Sequence, residues 1–362
     1  MNRCCVTLTS FLLLSACSLV FAQGHTSEFQ ARSTKLPTAT MYYRLFVPKN
    51  YTATKKYPVV VALHGVGERG SDNLAQIERE DLIWPWILDS IQTRVPHFIM
   101  VPQCPSNLTW TGDPANGIIA ILDSMKREFS VDTNRFYIAG LSMGGAGTWG
   151  MIEKHPGLFA AAAPCAFGGS TAAVTTIAKT PTWAHHGSLD GNPPGCRVMT
   201  EAMEAKGIKV VRYVSDAVIT SPTLSSYRDA VDKQGKNILD LLTRNSTITW
   251  DSLSKAVRGG ADHLYSELTG GDHRSGWMIA WHNPLLAAWM FSKVKGGAVS
   301  VAPGTEPSRY MTRSGQAGTG DRIAVYSLTG QKLASGDRRN GLQVVLERRN
   351  GVPVLRVRIM NR

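Results

Sequence analysis

Short runs of consecutive apolar residues recur along the chain, and segments with helical spacing separate them. The runs at 57–63, 98–101 and 135–139 are rich in β-branched or aromatic residues. Runs of this length and composition are typical of strands that are buried on both faces of a sheet. Between the second and third run, apolar residues from Ile118 to Phe129 follow the spacing of one helical face. This alternation predicts an α/β fold with a mostly parallel sheet flanked by helices.

The alternation continues to residue 214 and then stops. Strand-like runs at 182–186 and 210–214 enclose a helical segment around 199–206. Residues 215–260 are polar with weak periodicity, so we interpret them as an insertion, partly helical around 238–242, which is either a lid or a surface excursion. A last amphipathic helix is predicted at 284–291. These elements predict one large domain at 23–295.

The C-terminal residues differ from this domain in composition and charge. Residues 296–320 are rich in Gly, Ser, Thr and Pro and predict a linker. Four short strand-like runs in 321–362 predict a small C-terminal β module. Residues 309–362 hold eleven basic and three acidic side chains, which leaves only +4 of the net charge of +12 for the other 308 residues. No nucleic-acid motif or aromatic-interleaved basic patch accompanies this charge, so nucleic acid is not an expected partner.

The first 22 residues have the pattern of a secretory signal peptide. Arg3 precedes an apolar stretch at 11–21, and small residues lead to a cleavage site after Ala22. An alternative is a lipobox at 14–17, in which Cys17 would be lipidated. No other stretch approaches twenty apolar residues, so no transmembrane segment is predicted. We expect a secreted or cell-surface protein.

Cleavage after Ala22 leaves three cysteines, Cys104, Cys165 and Cys196. An oxidising compartment allows one disulfide and one free thiol among them, and the sequence does not select the pair. The spacing of cysteines and histidines matches no recognisable metal site.

Residues 140–144 read Gly-Leu-Ser-Met-Gly and match the pattern G-x-S-x-G. The strand at 135–139 runs into this segment and 146–154 is compatible with a helix, which places Ser142 on a sharp strand-to-helix turn. Glycines on both sides avoid collisions in such a turn. The N–H groups that begin the helix point toward negative charge that develops on a carbonyl oxygen. The pattern predicts a nucleophilic serine, and a plain Gly-rich turn is the alternative.

A nucleophilic serine needs oxyanion donors and an orienting acid. The backbone N–H groups of Val66, just after the strand at 57–63, and of Met143 are the predicted donors. Asp190 follows the strand at 182–186 and is the predicted acid, because active sites of open α/β sheets lie at the carboxyl ends of strands. Asp216 is the fallback.

The base must come from a loop that brings an imidazole to Ser142. His273 lies in a Gly-rich loop before the last helix and is the predicted base, with His263 as the alternative. The remaining candidates are interpreted as structural: His64, His155, His185 and His186. Trp110 and Trp277 are candidates for stacking on a sugar or aromatic ring of the substrate, although packing is the favoured interpretation for both, since the chain holds nine tryptophans.

Four segments together resemble a known family: residues 63–73 (LHGVGERGSDN), 101–105 (VPQCP), 140–149 (GLSMGGAGTW) and 271–273 (GDH). They resemble the secreted carboxylesterase branch of the α/β-hydrolase superfamily, related to dienelactone hydrolases, feruloyl esterases and polyhydroxybutyrate depolymerases. The resemblance covers about residues 40–295. It implies a serine carboxylic ester hydrolase that needs no cofactor and acts on acyl or feruloyl esters of plant polysaccharide.

Two other functions are compatible with the same residues. One is a serine peptidase similar to prolyl oligopeptidase, because the same triad cleaves amides. We expect no propeller-sized domain before the hydrolase domain, and this argues against the peptidase. The other is a non-catalytic surface protein that binds carbohydrate on a hydrolase scaffold, because a fold does not fix a function.

The tail resembles the C-terminal sorting domain of type IX secretion substrates. The resemblance rests on residues 325–333 (VYSLTGQKL) and 351–357 (GVPVLRV), in which Pro353 replaces the usual aromatic residue. It implies contact with a secretion machinery through the C-terminal module.

Overall fold

The computed structural model describes residues 25–191, 195–215 and 250–298, together with strands at 325–326, 332–333, 341–349 and 352–360. The chain divides into two compact units, Met1–Val301 and Ala302–Arg362. The predicted signal peptide, Cys17, Asp216 and most of the predicted insertion and linker lie outside the described residues.

Nine of the described strands form one sheet in the order β1-β2-β4-β3-β5-β6-β7-β9-β8. They are β1 Phe29–Lys35, β2 Thr40–Phe46, β3 Tyr57–Leu63, β4 Phe98–Gln103, β5 Val131–Leu141, β6 Ala161–Cys165, β7 Thr182–Gly187, β8 Val210–Ser215 and β9 His263–Leu268. β1 and β2 are antiparallel to their neighbours, and all other pairs are parallel. The predicted α/β fold with a mostly parallel sheet is confirmed.

Helices flank this sheet. In the described residues they are α1 Ala75–Glu78, α2 Trp84–Ile87, α3 Asp89–Arg94, α4 Asp113–Glu128, α5 Met143–Lys154, α6 Val174–Ile177, α7 Cys196–Ala205, α8 Trp250–Arg258, α9 Ser275–His282 and α10 Pro284–Phe291. Short 3-10 helices cover Thr26–Glu28, Val66–Glu68 and Thr171–Ala173. No helix among these is long and apolar enough to cross a membrane.

The core lies on both faces of the central strands. All seven residues of β3 are buried, as expected of a strand that is covered on both sides. α5 packs on β3, β5 and β6. Its Trp149 is fully buried, and the indole Nε1–H donates to the carbonyl oxygen of Phe167 at 3.0 Å. The glycine-rich start of α5 therefore leads directly into the central core.

Helix α8 lies within the segment that the sequence analysis assigned to an insertion with weak periodicity. Leu253 and Val257, four residues apart on one face, are both buried, and the helix contacts α10 and β8. Trp250, Leu253 and Val257 follow the spacing of one helical face, so the sequence carries a helical signal here that the interpretation as an insertion with weak periodicity overlooked. The last part of the predicted insertion thus belongs to the packed domain.

Beyond α10, residues Lys293–Val294 (β10) and Gly297–Ala298 (β11) pair as a short antiparallel hairpin, at the start of the predicted linker. Four described strands of the tail form an antiparallel sheet in the order β13-β12-β14-β15. They are β12 Val325–Tyr326, β13 Lys332–Leu333, β14 Gly341–Arg349 and β15 Val352–Met360.

The cysteines of the described residues, Cys104, Cys165 and Cys196, are buried free thiols. The disulfide that the sequence allowed is not formed among them. Burial raises the pKa of the Cys104 and Cys196 thiols to about 12 and raises that of Cys165 well above its ordinary value. Because only a thiolate reacts readily with a disulfide or a metal, these residues act as small apolar side chains of the core.

Three fully buried histidines make the stability of the fold depend on pH. Burial lowers the pKa of His64 and His97 to about 4 and that of His185 to about 3. As the pH falls, a histidine in the unfolded chain takes up its proton near pH 6.5, whereas the folded one does so only at lower pH. The contribution of these histidines to the free energy of unfolding is therefore fully present above about pH 6.5 and is lost as the pH drops toward 4.

We expect His185→Phe to reduce this acid sensitivity. The His185 ring stacks on Trp183 with centroids 5.4 Å apart, and neither ring nitrogen has a hydrogen-bond partner among the described residues. A phenyl ring keeps the stacking and cannot be protonated. Urea unfolding at pH 7 and pH 5 should give a difference in unfolding free energy smaller by about 2 kcal/mol than in the wild type. Equal differences in both proteins would contradict the assignment.

Candidate active site

The predicted nucleophile, base and acid meet at one edge of the sheet. Ser142 follows β5, Asp190 follows β7 and His273 follows β9, and these three strands run parallel. The carboxyl ends of parallel strands share one edge. Ser142 Oγ lies 2.8 Å from His273 Nε2, and His273 Nδ1 lies 2.8 Å from Asp190 Oδ2. The structure thus brings these residues into one hydrogen-bonded chain.

Ser142 occupies a strained turn between β5 and α5. Its φ of 52° and ψ of −117° are unusual for a residue with a Cβ. A Cβ on Gly140 would lie 2.3 Å from the Gly144 carbonyl oxygen, and one on Gly144 would lie 2.1 Å from the Leu63 carbonyl oxygen. Both glycines of the motif are therefore required by close backbone approach. The Ser142 N–H donates to the Cys165 carbonyl oxygen at 3.0 Å, which ties the turn to β6.

The two predicted oxyanion donors each begin a helical turn beside Ser142. Val66 is the first residue of the 3-10 helix Val66–Glu68, and Met143 is the first residue of α5. The first N–H groups of a helix have no acceptor within that helix, so they are available to a ligand. Gly65 abuts the nucleophile, since a Cβ on this glycine would lie 3.6 Å from Ser142 Cβ. The arrangement places the loop of Val66 directly against the serine.

His64 fixes the orientation of the peptide that carries the Val66 N–H. The backbone N–H of Cys104 donates to His64 Nε2 at 2.9 Å, so the proton of this neutral ring is on Nδ1. Nδ1 in turn donates to the Gly65 carbonyl oxygen at 2.6 Å. Because the C=O and N–H of a trans peptide point in opposite directions, the Val66 N–H is directed away from the buried ring. His64 is structural, as predicted, and it orients a candidate oxyanion donor.

We expect His64→Phe to lower kcat about 10- to 100-fold with little change in KM. Phenylalanine keeps the edge contact with Trp110 but loses both hydrogen bonds, so the Val66 peptide is no longer held, and loss of a whole oxyanion donor costs about 100- to 1,000-fold. Steady-state kinetics on an ester substrate measure the effect. His97→Phe is the control, because His97 is equally buried but precedes β4 at the opposite edge of the sheet. An equal loss in both variants would point to stability as the cause.

The loops of the acid and the base are joined by backbone hydrogen bonds. The Leu189 N–H donates to the Gly271 carbonyl oxygen at 2.8 Å, and the Ser188 N–H donates to the Leu268 carbonyl oxygen at 2.9 Å. The side chain of Asp190 is fully buried, and His186 Nδ1 lies 3.7 Å from its Oδ2. Burial lowers the pKa of His186, so this second ring beside the acid is neutral at pH 7. No motif in the sequence predicts this contact.

The other histidines lie away from the nucleophile or serve the fold. His263 is the first residue of β9 and is buried. Six residues of strand span about 16 Å, so His263 lies at the edge of the sheet opposite to His273. His155 caps the C-terminus of α5.

The two tryptophans that were candidates for substrate stacking have different positions. Trp110 is 2% exposed, and its Nε1–H donates to the His64 carbonyl oxygen at 2.9 Å. Trp110 thus has the packing role that the sequence favoured, and its buried ring does not offer a face for stacking on substrate. Trp277 is also largely buried, but its ring lies edge-to-face against the His273 imidazole with centroids 5.1 Å apart. It forms part of the wall around the candidate base.

No group of three or more potential metal ligands occurs among the residues that the structure describes. The chemistry that the site offers comes from side chains and backbone amides. A hydroxyl, an imidazole and a carboxylate in a hydrogen-bonded chain, next to free N–H groups, suit nucleophilic attack on a carbonyl carbon.

The sheet order, the strand-to-helix turn at Ser142 and the loops that carry Asp190 and His273 define the α/β-hydrolase fold. No family model matches the chain. A solved thermostable esterase superposes with a TM-score of 0.56 and 28% identity, over 74% of this chain and 64% of that chain. A bifunctional acetylxylan esterase/xylanase from Neocallimastix patriciarum is 28% identical over 152 residues, which is 40% of this chain. The chain spans about a fifth, 21%, of the length of that curated relative.

Proposed function

We propose that the protein is a serine carboxylic ester hydrolase. The single observation that carries the proposal is the chain of 2.8 Å contacts from Ser142 through His273 to Asp190. The esterase names of the two relatives described above support the same reaction class. No cofactor is required by this chemistry.

In the proposed mechanism, Ser142 Oγ attacks the ester carbonyl carbon while His273 Nε2 takes the hydroxyl proton. Asp190 holds the imidazole by its Nδ1–H and stabilises the imidazolium that forms. The backbone N–H groups of Val66 and Met143 donate to the oxyanion of the tetrahedral intermediate. His273 then donates its proton to the leaving alcohol, and an acyl-enzyme on Ser142 remains. Water, activated by the same imidazole, hydrolyses this acyl-enzyme.

We further propose acyl or feruloyl esters of plant polysaccharide as the substrate class. The support is the resemblance of the chain to secreted carboxylesterases, together with the acetylxylan esterase activity in the name of the curated relative. Export by the signal peptide at 1–22, with the C-terminal module as a contact for a secretion machinery, is part of the same proposal. It places the enzyme where such polysaccharides occur.

The proposal is tested with a fluorophosphonate probe and three substrates. The protein should be labelled on Ser142 and should hydrolyse p-nitrophenyl acetate and methyl ferulate faster than a peptide p-nitroanilide. Faster cleavage of the anilide would favour the peptidase function. A folded protein that is neither labelled nor active on any of the three would support the non-catalytic alternative.

A further inference from the structure

A three-residue segment between α1 and α2 contacts both sides of the candidate active site. Arg79 Nη1 donates to the Gly67 carbonyl oxygen at 3.2 Å, within the loop that carries Val66. The next residue, Glu80, reaches the loop of the base 194 residues later in the chain. Asp81 Oδ2 contacts His282 Nε2 at 3.2 Å, at the end of α9. The segment thus links the oxyanion loop to the helix that follows the base.

One carboxylate oxygen of Glu80 accepts two hydrogen bonds from residues that adjoin His273. Arg274 Nε donates to Glu80 Oε2 at 2.9 Å, and Trp277 Nε1 donates to the same atom at 3.1 Å. Arg274 follows His273 directly in the chain, and the ring of Trp277 stands nearly perpendicular to the imidazole, at 85°. Glu80 therefore holds both the backbone neighbour of the base and the aromatic ring against which the base packs.

The backbone of this segment is held in an unfavourable conformation. Glu80 has φ 56° and Asp81 has φ 53°. The left-handed region is disfavoured for residues with a Cβ, and it persists only where surrounding contacts impose it. Two such residues in succession direct their carboxylates to the start and the end of α9. The strain at this point accompanies contacts to the residues that follow the candidate base rather than contacts to the sheet.

We propose that Glu80 is a positioning residue that holds the His273 imidazole in line with Ser142 through Arg274 and Trp277. The inference rests on the proposed function, since it assigns His273 as the base. Without the two hydrogen bonds, the indole can shift, and the imidazole loses the surface that limits its rotation. A displacement of about 1 Å in a reacting group can cost about 100-fold in rate.

Glu80 also acts on Glu68 through its charge, and the experiment must distinguish this effect from the hydrogen bonds to Arg274 and Trp277. Glu68, in the oxyanion loop, has its carboxyl pKa raised, first by burial and then by the negative charge of Glu80. Glu80→Gln removes the charge but keeps an oxygen that accepts a hydrogen bond. Glu80→Ala removes both. The pair therefore distinguishes positioning by hydrogen bonds from an effect of charge on the oxyanion loop.

Kinetics on p-nitrophenyl acetate should show kcat lowered about 10- to 100-fold in Glu80→Ala with KM within about twofold of wild type. Glu80→Gln should keep kcat within about threefold. Trp277→Phe, which keeps a ring but loses the N–H, should lower kcat, and the double variant with Glu80→Ala should be no slower than Glu80→Ala alone. The matched control is Glu128→Ala, which removes a surface pair with Arg32 and should leave kcat unchanged. Thermal melting confirms that each variant is folded.

A measurement without turnover completes the test. The Nδ1 proton that His273 shares with Asp190 should give a low-field proton NMR signal, which should broaden or vanish in Glu80→Ala and persist in Glu80→Gln. This signal tests the position of the ring even if no ester is hydrolysed, so failure of the proposed function and failure of this inference are separate results. An unchanged signal and kcat in Glu80→Ala would overturn the inference. So would a kcat in Glu80→Gln as low as in Glu80→Ala, or a rise in KM alone.

Discussion

Ser142→Ala should hydrolyse p-nitrophenyl acetate about a millionfold more slowly than the wild type, because removal of the nucleophile from a serine triad has an effect of this order. The remaining rate, about a thousandfold above that in water, would come from the oxyanion donors and from substrate binding. KM should change little, since the lost oxygen acts in the chemical step. The same variant should take up no fluorophosphonate. Active-site titration of the preparation excludes contamination by wild type.

Ser33→Ala is the matched control for this prediction. Ser33 is exposed on β1, the antiparallel edge strand of the sheet, and has no contact with the candidate site. Its replacement should change neither kcat nor labelling. The Ser142→Ala protein should also melt within a few degrees of the wild type, since alanine and serine meet the same restriction at φ 52°. A Ser142→Ala protein that kept more than about one per cent of the activity would remove Ser142 as nucleophile.

The parallel sheet could be predicted because its strands are buried on both faces. β3 consists of seven buried residues, and a short run of this kind, rich in β-branched residues, is typical of a strand that is covered on both sides. The position of Ser142 could be predicted for a related reason: a Cβ on either motif glycine would lie about 2 Å from a backbone oxygen, so both positions exclude any side chain. Features that depend on local packing and on close backbone approach can be recognised from a short stretch of sequence.

The support around the base could not be predicted, because it depends on contacts between distant residues. Glu80 and Trp277 are 197 residues apart in the chain, and neither lies in a motif. The same limit applies to Trp110, because its burial against His64, 46 residues earlier in the chain, leaves no local pattern in the sequence. The helix α8 is a different case, because Trp250, Leu253 and Val257 do mark one helical face in the sequence. Its partners, α10 and β8, come from different parts of the chain and could not be predicted.

Asp190 was predicted by its place after a strand and His273 by its place in a Gly-rich loop before a helix, and the contacts at 2.8 Å agree with that placement. Their roles are a matter of chemistry rather than of position. Asp190 has two histidines near its carboxylate, His273 at 2.8 Å and His186 at 3.7 Å. Of these two histidines, His273 is the one within hydrogen-bonding distance of Ser142. A substitution of His273 therefore tests whether this contact has the function of a general base.

His273→Ala should lower kcat by about a millionfold, to the level of Ser142→Ala, because the serine hydroxyl is then without a proton acceptor. The double variant should be no slower than either single variant, since the two residues act as one unit. Fluorophosphonate labelling should slow by a similar factor. Added imidazole is expected to restore part of the activity, because the alanine leaves space beside the Trp277 ring for a small base.

His263→Ala is the control that separates the two histidines considered as base. His263 lies at the start of β9 and His273 follows its end, so the two rings lie near opposite ends of this strand. Removal of His263 opens a cavity in the buried face and should lower the melting temperature while kcat at 25 °C stays within about twofold of wild type. The reverse pattern, an active His273→Ala and an inactive but folded His263→Ala, would transfer the role of base to His263. It would also require the strand to present its amino end to Ser142, which a parallel pairing with β7 does not allow.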